Sequence, residues 1–311
     1  MNTPPYKLGS QDDGSVISVI RIEYQKGTEA PSRIFRSAAE LIDAFYAVER
    51  DLAISINADI APVILLEEIQ SGSVLVWLKT VLQNTNDDAL LNLDWKPLVG
   101  QFLVKGKHRL LEFLDGKEKI NDSSEISVLQ DELLQLNPAP KVSHLPLPQV
   151  VPAKRLLNDC KQISDALSHL HASDIVIFES ENGGVEMNKA FKITSEEIER
   201  ILTKSEEDIE TEMCLKVKKP DYLGNSRWEF KHNDRTVEAK IEDTDWLFKF
   251  QSRLFDVRPG DSINARVRLT IKKDQNGLVV AERFTITHVI NTIQSTPSVQ
   301  LDFLPGDAQS L

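Results

Sequence analysis

The sequence is poor in cysteine. Cys160 and Cys214 are the two in 311 residues, too few for a disulfide framework and the pattern of a reduced, cytoplasmic chain. It also lacks a long apolar run. Residues 60–66 make the longest, Pro62 falls inside it, and a membrane-spanning helix needs about 18 such residues. The opening MNTPPYKLGSQDDGS has no apolar core of the kind a secretory leader carries. Positive charge is short as well: 36 Lys and Arg against 48 Asp and Glu give a net charge of −12, which opposes non-specific binding to phosphate backbones. The usual signatures of chemistry are missing. Gly183-Gly184 is not followed by the Lys-Ser/Thr of a phosphate-binding loop, and neither Gly-x-Ser-x-Gly nor His-Glu-x-x-His occurs. His169 and His171 are two residues apart, so on a helix they face apart and make no metal pair. No cofactor and no resident metal are expected.

What is present is an ordinary soluble composition, 41% hydrophobic and 27% charged, in a length that suits about two domains. The expected class is α+β: an N-terminal α+β domain, a proline-rich linker and a small C-terminal β-barrel. Residues 1–15 read as a loose terminus. The domain over 16–136 opens on a strand, Val16–Tyr24, followed by a capping box at Ser37–Glu40 and a helix with Ala38, Leu41, Ile42, Phe45, Val48 and Leu52 on one face. Two strands and two further helices complete it. Pro97 marks the start of the first helix and Asp122-x-x-Glu125 caps the second. Gly100 and Gly106 stand against the helix over 94–114. Residues 137–152 carry five prolines, which deny regular pairing and suit a linker. A helix, a hairpin turning at Glu181–Gly184 and an acidic helix capped at Thr194 and reaching about Glu207 fill 153–210. The barrel occupies 211–293, and 294–311 read as a disordered tail.

The order over 211–293 is the informative part. It runs strand, strand, strand, short helix with Trp246, Leu247, Phe250 and Leu254 on its stripe, strand, strand. This resembles the OB-fold, a five-stranded barrel with a helix after the third strand. The resemblance rests on element order over about 80 residues, and it implies a binding surface built from one sheet face and two loops, here 221–226 and 274–277. Residues 212–295 have 15 basic and 12 acidic residues, against the acidic balance of the rest. Arg227, Lys231, Arg235, Arg266, Arg268, Lys272, Lys273 and Arg283 are the candidate nucleic-acid contacts, with Tyr222, Trp228 and Phe230 as candidate stacking faces.

The same stretch holds Pro220-Asp221 followed by Glu238-Ala239-Lys240. That pattern resembles the PD-(D/E)xK metal-dependent nucleases. The resemblance implies Asp221 and Glu238 as Mg²⁺ ligands and Lys240 as the residue that positions water. Acidic-x-Lys triplets are common in a chain this charged. The leading expectation is therefore a non-catalytic binding or regulatory protein that works through protein–protein contacts with an unidentified partner, as a subunit of a larger assembly. A nucleic-acid-binding module or Mg²⁺-dependent nuclease in the barrel is the alternative, and no membrane association is expected.

Overall fold

Val16–Glu23 (β2) is buried at six of its eight positions because it lies in the middle of a sheet and is covered on both faces. The computed structural model of the chain describes residues 7–11, 14–25, 27, 30–70, 74–84, 95–141 and 146–295. The architecture is mixed α+β, with an N-terminal α/β region and a closed five-stranded barrel, in two units, Met1–Leu202 and Thr203–Leu311. Among the described residues no helix is long and apolar enough to cross a membrane.

In the first unit a short strand, Gly9–Ser10 (β1), pairs with the start of β2. A 25-residue helix, Ser32–Ile56 (α1), follows. Then come Ile60–Gln70 (β3) and Val74–Asn84 (β4), the helices Lys96–Leu114 (α2), Ser123–Leu136 (α3) and Ala153–Leu167 (α4), and the strands Ile175–Ser180 (β5) and Gly183–Glu186 (β6). Ser195–Leu202 (α5) ends the unit. The sheet order is β3-β4-β2-β5-β6, all neighbours antiparallel. Val76, Ile20 and Phe178 lie side by side across three strands, and the Phe45 ring of α1 meets Phe178 edge-on at 5.0 Å. Glu49 of α1 and Lys107 of α2 form an ion pair within this core, and Thr80 of β4 donates to Glu49 at 2.9 Å.

Several local expectations hold and several shift. Asp122 caps α3 by accepting the Ser124 N–H, and Glu125 returns to the Asn121 N–H. Thr194 and Glu197 make the reciprocal capping box of α5. The first long helix starts earlier than its capping box implied. Pro31 precedes its first residue, and Ser37 is buried inside the helix. The two glycines that argued against α2 are its points of closest approach. A Cβ at Gly100 would meet Val16 of β2 at 2.5 Å, and one at Gly106 would meet Leu52 of α1 at 2.6 Å. The proline-rich stretch is followed by β5, which pairs with β2 in the middle of the same sheet, and by α4, which packs along α1. Its described part is also held: the Gln149 N–H donates to the Ser55 carbonyl, and Gln130 donates to the Val151 carbonyl. Residues 142–145 of that stretch, 296–311 of the expected tail, and 1–6, 12 and 13 of the expected loose terminus lie outside the described residues.

The second unit begins where a helix was expected to continue. Ser205–Lys219 (β7) is one 15-residue strand, so the acidic run after Leu202 is extended chain. Trp228–His232 (β8) and Arg235–Ile241 (β9) form a hairpin whose turn residues Asn233 and Asp234 take φ of 46° and 61°, a turn that Asn and Asp tolerate. A short helix, Thr244–Gln251 (α6), precedes Ser262–Lys273 (β10) and Val279–Ile293 (β11). Around the barrel the order is β10-β11-β9-β8-β7, closed by pairing of β7 with β10, and β9 and β11 are the parallel neighbours. Trp228, Phe230, Ala265, Val267 and Ile286 fill the interior.

Candidate binding surface of the barrel

Strand alternation decides which barrel residues can meet a partner. Trp228 and Phe230 point inward and are fully buried, stacked at 6.0 Å, so two of the three candidate stacking faces belong to the core. Of the candidate cations, Arg227 and Lys231 are exposed at and within β8, Arg235 is exposed at the start of β9, and the others lie on β10 and β11. The cations of β10 face carboxylates of β7. Lys272 reaches Glu206 at 3.6 Å, Lys273 reaches Glu207 at 2.8 Å, and Arg266 reaches Glu212 at 4.0 Å. Arg268 lies 3.7 Å from Glu242, and Thr270 donates to Asp208. Lys272 and Lys273 are consecutive residues of β10 and so lie on its opposite faces. This ladder also explains why the acidic run folds as a strand: Glu206, Glu207 and Glu212 find opposite charges across the ladder that a lone helix would not supply.

The nuclease pattern is spread over unlike environments. Asp221 lies in the loop between β7 and β8 and accepts from the N–H groups of Leu223, Gly224 and Ser226, each at 3.0 Å, and from the Ser226 hydroxyl at 2.6 Å. The Ser226 hydroxyl leads these bonds in lowering its pKa to about 2. Glu238 and Lys240 stand on the exposed face of β9, alternating with Val237, Ala239 and Ile241, which face the core. Glu238 is paired in register with Glu229, which Lys218 engages at 3.0 Å. The acidic cluster at 242–245 serves the backbone: Asp243 accepts from the N–H groups of Trp246 and Val289 and lies 3.0 Å from His288. Among the described residues no group of three or more His, Cys, Asp or Glu side chains could hold a metal ion.

An apolar surface forms at one end of the barrel, where sequence reasoning placed none. The loop 221–226 is tied to α6, with Gln251 donating to the Gly224 carbonyl at 2.8 Å. Tyr222 packs on Phe250 with ring centres 5.0 Å apart and donates its hydroxyl to the Val257 carbonyl. A cavity of about 540 Å³ lies here, lined by Tyr222, Phe250, Arg253, Phe255 and Asp256. On the same loop and helix Leu223 is 97% exposed, Leu254 71% and Phe248 69%. Leu254 was expected on the buried stripe of the helix. Instead α6 ends at Gln251 and Arg253 turns through a φ of 57°, which takes Leu254 off the stripe. The signal in the sequence is that Phe248 falls two residues from both Trp246 and Phe250, off the inward face. No known family model matches the chain, and no curated protein or solved structure matches it.

Proposed function

We propose that the chain is a non-catalytic binding or regulatory protein that acts through protein–protein contacts, as a subunit of a larger assembly, with the barrel as its contact module. The observation that carries this reading is the charge arrangement of the barrel. Once β7 is counted from its true start, residues 203–295 have 16 basic and 16 acidic residues, so the basic excess of 212–295 disappears. Its β10 cations face carboxylates, which leaves little field to draw in a phosphate backbone. The exposed Leu223, Phe248 and Leu254 beside an aromatic-lined cavity are the kind of surface a protein partner buries. The barrel is OB-like in this reading. The parallel pairing of third and fifth strands, the closure of first on fourth and the helix between third and fourth all support that assignment.

The test is capture of cross-linked partners by the tagged full chain in its own cells, set beside a Leu223→Glu, Leu254→Glu chain. Both positions are exposed, so the variant should keep its melting temperature. The expected result is a defined partner set that falls at least about tenfold in the variant. Equal capture by both chains would contradict the assignment of this surface. The OB-like order also underlies the second reading, single-stranded nucleic-acid binding through Arg227, Lys231, Arg266, Arg268, Lys272 and Lys273.

A further inference from the structure

The seam between α1 and α4 holds a cleft of about 460 Å³, lined by Arg50 and Asp51 of α1 and by Arg155, Asn158, Asp159 and Gln162 of α4. The α4 residues recur at helical spacing and so share one face. Two carboxyl groups are buried here with unequal partners. Asp51, 5% exposed, receives Nη1 of Arg155 at 3.1 Å and Nε of Arg50 at 3.5 Å. Asp159, 2% exposed, has an Oδ2 with no hydrogen-bond partner, although it lines the cleft. Burial, and then the charge of Asp51, raise the Asp159 carboxyl to about 8, the behaviour of an acid with no cation of its own.

We propose that this cleft binds a small zwitterion of the α-amino-acid type, its ammonium on Asp159 and its carboxylate on the guanidiniums of Arg50 and Arg155. The unpartnered buried oxygen calls for an N–H donor, and a charged donor is the one that stabilises it in ionised form. The two arginine side chains are about half exposed at the mouth, and Asp51 engages one nitrogen of each, so the fork of each guanidinium retains donors for a second anion. An ammonium on Asp159 displaces the carboxyl proton, so the occupied cleft holds two carboxylates and two guanidiniums at net zero charge, and a ligand that is itself neutral overall keeps that balance. A bare amine would leave one positive charge, and a bare carboxylate would leave the buried Asp159 oxygen without a donor. A divalent cation is disfavoured by the two guanidiniums beside the two carboxylates. The volume suits a small ligand, and the amides of Asn158 and Gln162 favour a polar side chain on it.

The test is calorimetric titration of the full chain with the common amino acids one at a time, and with methylamine and acetate as probes of the separate charges. The expected result is binding of at least one polar amino acid at or below about 1 mM, with neither methylamine nor acetate binding in that range. Asp159→Asn keeps the shape of the side chain, and Arg155→Gln alters a half-exposed one. Each should weaken that binding by about tenfold or more while the variant stays folded by circular dichroism. Binding confined to methylamine or to acetate, equal affinity in both variants, or no binding of any amino acid up to about 10 mM would each overturn the proposal.

Discussion

Replacing Lys107 by Met should lower the stability of the chain by about 3–5 kcal/mol, because it strands a charge in the core. Glu49 is 0% and Lys107 1% exposed, and the two pair with each other in that core. The Lys107 ammonium also sits over two aromatic faces, 5.0 Å from the centre of Phe178 and 5.6 Å from that of Phe45, which the ring quadrupoles favour. With the ammonium gone, Glu49 retains the Thr80 hydroxyl and, among the described residues, no cation. The converse follows from the same physics. A triple change, Glu49→Leu, Thr80→Val and Lys107→Met, removes every member of the polar set and should restore stability to within about 1 kcal/mol of the parent, or exceed it. Denaturant unfolding of the three chains measures both outcomes. A Lys107→Met chain as stable as the parent would mean that water reaches Glu49.

Phe45→Ala should cost about 3–5 kcal/mol, the usual range for emptying a buried aromatic site. The ring is fully buried on the middle of α1 and touches the Phe178 ring, which stands beside Ile20 and Val76 on the helix face of the sheet. It also forms one wall of the site that holds the Lys107 ammonium, so the loss is felt by the ion pair as well. Against a typical total of about 5–15 kcal/mol this is a large fraction. At roughly 2–4 °C per kcal/mol for a unit of this size, the midpoint should fall by about 10 °C. A shift of only about 1 °C would mean that this face of α1 is not a core face.

Local chemistry was legible where neighbours in sequence are also neighbours in space. The Asp122 cap and the Thr194 capping box each need only four or so consecutive residues to be read, the stripe through Leu41, Phe45, Val48 and Leu52 about a dozen, and each stands in the structure. The α+β class and the barrel were legible for the same reason, since alternation marks the strands one by one. What was hidden depends on partners far along the chain. Glu206 and Glu207 look like the end of an acidic helix until Lys272 and Lys273 are placed opposite them. Gly106 looks like a flaw in a helix until Leu52 arrives against it. The stretch of prolines looks like a boundary until β5 adds to β2 beyond it. The cleft residues Asp51 and Asp159 come from helices separated in sequence by two strands and two further helices, and no spacing rule joins them. The exposure of Leu254 at the apolar end of the barrel depended on one backbone torsion at Arg253, which propensity alone does not reveal.

The claim that the barrel meets proteins rather than nucleic acid is tested most directly by titrating the full chain into a labelled single-stranded oligonucleotide, with and without Mg²⁺, as salt is lowered. Electrostatic attraction is greatest at low ionic strength, so about 20 mM salt gives a phosphate-binding surface its best chance. The account expects flat anisotropy down to that salt and an intact oligonucleotide throughout. Binding that strengthens steeply as salt falls, and that is lost when Arg266, Arg268, Lys272 and Lys273 are replaced, would contradict it. So would Mg²⁺-dependent cleavage that disappears in Glu238→Ala.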